Sequence, residues 1–252
     1  MFKRIKEYSV PIIILFATIF VIAFNLIAAA LPLNNVYTNV ISDKYFTLFT
    51  PTGFIFAIWG LIYVLLGTYA IWCIATYKKN KEIINKSLLV YVAAAALNCI
   101  WLVAWHYDYI RFSIIPMLLL LISLMYLYRL YATSTVSRLI RLVFSVYMGW
   151  ISVATIVNVA ILLTLLDWNR FGLNEITWSA IMLFVGVALG LYMLNRFKDK
   201  AFYFVIVWAA IGIWINNPED FYIFAIIFFA IISFLVRGFI NYVRKPILSK
   251  EA

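Results

Sequence analysis

The chain has 252 residues, 67% of them apolar and 12% charged, with a mean hydropathy of +1.03; soluble domains sit near roughly 45–50% apolar and 25% charged, which excludes a water-soluble fold. The net charge of +10 is carried in short Lys and Arg clusters between apolar runs and not on one continuous face, so it marks membrane topology and excludes nucleic acid as a partner. With roughly 20 apolar residues needed to cross a hydrocarbon core of about 30 Å, the length admits about eight spans and no large soluble domain.

The first apolar run, near Val10 to Leu31, follows Lys3, Arg4 and Lys6. It outlasts a signal-peptide core and no small-residue cleavage site follows it, so it is expected to stay as a span. The connection from Pro32 to Thr52 has a polar start and an aromatic end, Tyr45, Phe46 and Phe49. It fits either a cover over the mouth of a bundle or a loose loop with interfacial aromatics.

The second span, near Gly53 to Tyr77, places Phe56, Trp59, Tyr63, Gly67 and Ala70 at helical 3/4 spacing and therefore on one face. The third, near Leu88 to His106, does the same with Tyr91, Ala94, Asn98, Trp101 and Trp105. His106 and Asp108 close its outer end, where one His and one carboxylate are too few for a metal site, and interfacial solvation is expected. The fourth span runs near Phe112 to Tyr131, and the fifth, near Leu139 to Leu166, repeats the stripe with Tyr147, Trp150, Ala154, Asn158 and Ile161. Spans six, seven and eight are expected near Trp178 to Asn195, Ala201 to Asn216 and Phe221 to Tyr242. The seventh reaches only about 24 Å, so a re-entrant segment is the alternative there.

With eight crossings, the basic clusters at Lys3 to Lys6, Lys78 to Lys86, Arg129 to Arg141, Arg196 to Lys200 and Arg237 to Lys250 all fall on one side. Lys44, Arg111 and Arg170 are left on the other, which puts both termini in the cytoplasm. Seven crossings would place the last cluster on the wrong side.

No Asp, Glu, Lys or Arg is expected inside the spans, which disfavours a charge-driven pump. Cys73 and Cys99 lie within apolar runs and behave as small hydrophobes, so neither a disulfide framework nor a metal site is indicated. The aromatic stripes with small residues admit two readings: three helices enclosing a flat apolar ligand, or interfacial belts and ordinary helix packing. Asn25, Asn98 and Asn158 read singly as interhelical glue.

At these positions the sequence resembles the TspO/MBR family, the tryptophan-rich sensory proteins that include the translocator protein. The stretch from Thr50 to Tyr63, with Pro51, Gly53, Phe54, Trp59 and Tyr63, is similar to that family's Pro-Gly-aromatic, Trp, Tyr signature. Leu97, Asn98 and Trp101 resemble its third-helix Leu-Asn-x-x-Trp, and Tyr147, Trp150, Ala154, Thr155 and Asn158 its fifth-helix pattern. Val146, Phe54 and the start of the fourth span depart from the family's usual Pro, Trp and Trp/Asp, and the tyrosine of the proposed sterol motif is missing after Val159. Sterols are therefore the ligand class with least support.

The resemblance covers residues 1–166 and implies the family's five-helix unit there; the three spans of residues 167–252 fall outside it and are expected as an extension packed on it, in an all-α polytopic transmembrane helical bundle of about eight spans. It implies a ligand pocket whose candidate residues are Trp59, Tyr63, Asn98, Trp101, Tyr147, Trp150, Ala154 and Asn158. No catalytic residue, cofactor or metal is expected; a porphyrin or other tetrapyrrole enters as ligand. The expected partners are the lipid bilayer and a hydrophobic small molecule, with self-association left open. A receptor, sensor or carrier is the leading expectation, with a permease for a small apolar or zwitterionic solute and a light-dependent porphyrin-degrading enzyme as alternatives. Abundant Ile, Phe, Lys and Asn without a mitochondrial-type leader lean towards a bacterial cytoplasmic membrane.

Overall fold

The computed structural model describes residues 8–31, 33–35, 41, 44–45 and 47–248, with only the backbone described for 35 and 238–248. Lys3, Arg4, Lys6, Phe46 and Lys250 lie outside the described residues. Among those described, the regular elements are all helical: α1 (Ser9–Ala30), α2 (Ile58–His106), α3 (Ile110–Ala132), α4 (Arg138–Leu165), α5 (Glu175–Phe197), α6 (Lys200–Asn216) and α7 (Phe221–Leu248), with short 3-10 turns at Leu33–Asn35, Gly53–Ala57 and Arg170–Gly172.

The 49 residues of α2 are broken at Asn80, whose φ of −117° and ψ of 24° are not helical. Beyond it the chain doubles back: the Tyr69 and Ser87 hydroxyls are 2.7 Å apart although 18 residues separate them in sequence, whereas an unbroken helix would hold them about 27 Å apart. The two arms, 58–79 and 81–106, are spans two and three. The reversal falls inside the Lys78 to Lys86 cluster, where charge keeps the chain at the aqueous boundary.

Helices α1 to α5 are long and apolar enough to cross a bilayer, while α6 and the described part of α7 are shorter apolar helices. With the two arms of α2, the chain is an all-helical polytopic integral membrane protein. At 17 residues, α6 is about 26 Å long, as short as its sequence announces. Side chains set the helix starts: Ser137 caps α4 through Leu139 N, Asn174 caps α5 through Thr177 N, and the buried Asp199 caps α6 through Phe202 N at 3.1 Å. Lys198 ends α5 in the left-handed conformation, φ 56°.

The chain divides into two compact units, one of Met1–Thr47 with Gly53–Trp168 and one of Leu48–Thr52 with Asn169–Ala252. In the first, α1 packs on α2, α2 on α3, α3 on α4, and α4 returns to α2. The end of this bundle towards Asn80 is solid. Tyr131 and Phe144 stack at 5.2 Å, and Tyr69 sits edge-on to Phe144 at 5.0 Å. Their buried hydroxyls are paired: Tyr69 with Ser87 and with Tyr131 at 2.9 Å, and Tyr91 with Thr18 at 2.6 Å. Pairing matters because no water stands in to satisfy a hydroxyl in the hydrocarbon region.

At the opposite end of the same unit, described residues of the long connection are tied to the turn between α2 and α3. Asn34 Nδ2 donates to the His106 carbonyl at 3.3 Å, Lys44 pairs with Asp108, and Tyr45 Oη donates to Asp108 Oδ2 at 3.1 Å. His106 is not solvated at an interface, as its position in the sequence suggests. It is fully buried, with Nδ1 2.8 Å from the Leu102 carbonyl one turn back, where the backbone satisfies the ring in place of water.

In the second unit, α5 packs against α6 and α7. Gly190 lets α5 approach α6 closely, since a Cβ there would meet Tyr203 at 3.2 Å and Ile206 at 3.3 Å. The Leu48–Thr52 segment belongs to this unit through its backbone. Thr52 N donates to the Gly212 carbonyl, Asn216 and Asn217 donate to the carbonyls of Thr50 and Leu48 at 3.1 and 3.0 Å, and Leu48 N donates to Glu175. The end of the long connection is thus held by side-chain amides at the α6–α7 turn.

Candidate functional site

Near the end of the first unit that faces away from Asn80, α1 and the two arms of α2 enclose a cavity of about 430 Å³, within the roughly 300–1,000 Å³ of small-molecule sites. α1 contributes Asn25, Leu26, Ala28 and Ala29 to it. Gly53 and Phe56 come from the short 3-10 turn, Trp59 and Tyr63 from the first arm of α2, and Trp101 and Leu102 from the second. Helical spacing places Trp59 and Tyr63 one turn apart, and the small side chains of Ala28 and Ala29 leave the space facing the rings.

Trp59 is the hub of the aromatic wall. It stacks on Tyr63 with centroids 5.8 Å apart and 26° between planes, and it meets Tyr147 and Trp150 edge-on at 6.0 and 6.4 Å. Trp150 in turn stands edge-on to Phe56 at 5.6 Å. Both helix-α4 rings are buried and back the wall from behind. Below Tyr147, the space between α1, α2, α3 and α4 shrinks to about 10 Å³, room for one water at most.

Amides lock the other wall. The Trp101 indole donates to Asn158 Oδ1 at 3.2 Å; that oxygen also accepts from Ser113 Oγ at 3.1 Å, and Asn158 Nδ2 donates to the Ala154 carbonyl at 3.1 Å. Asn25 Nδ2 donates to Asn98 Oδ1 at 2.7 Å and to the Val21 carbonyl at 2.8 Å. Asn98 is fully buried, and its Nδ2 has no hydrogen-bond partner among the described residues. The Tyr147 hydroxyl approaches the Asn98 side chain. Trp150 Nε1 is likewise buried without a partner.

Of the eight residues expected at a pocket, then, Trp59, Tyr63 and Trp101 line the cavity. Tyr147 and Trp150 stand behind Trp59, Asn158 holds Trp101, Asn98 holds Asn25, and Ala154 offers Asn158 a carbonyl. The hollow opens between α1 and α2, not between spans two, three and five. Sequence reasoning passed over α1 as a wall: Asn25, Ala28 and Ala29 share one helical face at 3/4 spacing, the signal that marks them.

No Asp, Glu, Lys, Arg or His lines the cavity among the described residues. Its chemistry is ring stacking and neutral hydrogen bonding. Among the described residues no group of three His, Cys, Asp or Glu side chains is placed to hold a metal ion. The nearest ion pair at this end of the unit is Lys44 with Asp108, whose carboxylate raises the Lys44 pKa above the ordinary lysine value by accepting its hydrogen bond.

No curated protein and no solved structure matches the chain significantly. A family model described as TSPO-like protein matches residues 11–240, which carries the likeness beyond the five-span unit, across α5 and α6 and into α7. An aromatic, uncharged cavity in a helical membrane bundle accords with that match, which covers most of the sequence, and the chain belongs to the TSPO-like protein family.

Proposed function

We propose that this integral membrane protein is a receptor, sensor or carrier for a flat apolar molecule of tetrapyrrole-like shape, bound in the cavity between α1 and α2. The observation that carries the reading is the cavity itself: about 430 Å³ walled by Trp59, Tyr63, Phe56 and Trp101 and free of charged lining. Trp59, Tyr63 and Trp101 offer stacking surfaces. Tyr147, Trp150 and Ala154 keep Trp59 and Asn158 in place, while Asn98 and Asn158 orient Asn25 and Trp101. In this reading both termini and the Asn80 reversal are cytoplasmic and the cavity faces the outer side of a bacterial membrane, an orientation that the one-sided basic clusters support.

Titration of the protein in nanodiscs with protoporphyrin tests this. Tryptophan emission should fall saturably, and Trp59→Leu, in protein that still elutes as a single folded species, should weaken binding about tenfold through lost stacking. Quenching that never saturates, or that is unchanged in the variant, overturns the reading. Ligand flux into proteoliposomes then separates a carrier from a receptor.

A further inference from the structure

Asn25 sits on α1, 6% exposed, with its side chain at the cavity wall. Both hydrogens of its Nδ2 are committed, one to the Val21 carbonyl at 2.8 Å and one to Asn98 Oδ1 at 2.7 Å. The Val21 carbonyl can only accept, so the amide has one permitted orientation; the reverse would set two carbonyl oxygens against each other. Asn25 Oδ1 is the atom left over. It has no hydrogen-bond partner among the described residues, yet it is not among the polar atoms sealed from surrounding space. The group on that open side is the cavity.

The other polar lining groups sharpen the asymmetry. The Trp101 N–H is taken by Asn158, and no cationic side chain lines the cavity among the described residues. Tyr63 brings a hydroxyl that can donate or accept. A guest therefore meets a fixed carbonyl acceptor and no positive charge. An ionised carboxylate, itself only an acceptor, gains nothing from that carbonyl, whereas an N–H or O–H at the rim of a flat neutral ring satisfies it.

We infer that Asn25 is a specificity-determining residue, selecting flat neutral guests that carry a hydrogen-bond donor on one edge, with Asn98 as the residue that positions it. This rests on the cavity being a ligand site, as proposed above. It adds the chemical class of the guest: a heteroaromatic N–H or a ring hydroxyl is preferred over an isosteric ring that lacks one.

Carbazole and dibenzofuran are near-identical in shape and differ in an N–H against a ring oxygen. Equilibrium dialysis of the protein in nanodiscs against each labelled compound, with empty nanodiscs subtracted for lipid partition, reads the preference directly. Carbazole should bind about tenfold tighter, the worth of one neutral hydrogen bond. Asn25→Leu should bring that ratio to about one. Equal affinities in the unaltered protein overturn the inference and leave the cavity reading standing. A preference that survives Asn25→Leu assigns the selection elsewhere and overturns it too. Absence of binding by either probe, with no saturable protoporphyrin quenching, sinks both readings. Should Asn25→Leu fail to fold, the ratio in the unaltered protein decides.

Discussion

The Trp101 indole donates its one hydrogen to the side-chain carbonyl of Asn158, 57 residues further along the chain and 3.2 Å away. That bond fastens a cavity-lining ring on α2 to α4, and Ser113 on α3 joins the same oxygen. Three helices are thereby joined at one acceptor. In hydrocarbon, association rests on such packing and pairing and not on the hydrophobic effect.

Replacing Asn158 with Leu strands the Trp101 N–H, while the Ser113 hydroxyl keeps the Ile110 carbonyl as its acceptor at 2.9 Å. The expected cost is about 1–3 kcal/mol, that of leaving a buried donor unsatisfied. Thermal unfolding in detergent should show a lowered midpoint, and protoporphyrin affinity should fall with it as Trp101 loses its orientation. An unchanged midpoint would mean that the bond contributes nothing.

Trp150 and Trp59 stand on equivalent stripes but answer differently to substitution. The Trp150 N–H is buried and has no partner among the described residues, so Trp150→Phe removes an unsatisfied donor and keeps a ring edge-on to Trp59. Unfolding should shift by less than about 1 kcal/mol in either direction, and ligand affinity should hold. A marked loss of affinity in Trp150→Phe would place that N–H in contact with the guest.

The tether of Lys44 to Asp108 is expected to be insensitive to pH through neutrality. Its hydrogen bond to the carboxylate raises the Lys44 pKa, so the contribution is complete below the ordinary lysine value and is lost only as pH climbs through the raised one. Cleavage by chymotrypsin after Tyr45 reads the tether. Lys44→Met should be cut faster than the unaltered protein by a constant ratio between about pH 7 and 9. A ratio that drifts to one within that window would assign the tether to another group.

Much of the fold was legible because membrane helices obey few rules. Apolar runs about 20 residues long must span, and clustered Lys and Arg must stay outside. The reversal at Asn80 could be read from Lys78 to Lys86, even though the helical backbone runs almost unbroken through it. The site was legible only by half. Periodicity set Phe56, Trp59 and Tyr63 on one face and Tyr147 and Trp150 on another, but it names a face, not the helix standing before it. His106 shows the same limit, since its burial depends on a backbone carbonyl one turn away and on the loop residues tied beside it.

What the amino-acid order determined on its own is the helical membrane fold and the aromatic stripes, because each follows from local period and from the cost of charge or unpaired backbone in lipid. What the tertiary structure alone decided is which rings line a hollow, which rings stand behind them, and which amide atom is free. Asn25 and Asn98 lie 73 residues apart, and nothing in either neighbourhood says that Asn98 will take the amide hydrogen that the Val21 carbonyl leaves over, so that a single side-chain carbonyl stays bare. Hydrogen-bond valence is settled only when distant segments meet, and in this protein that meeting gives the cavity its polarity.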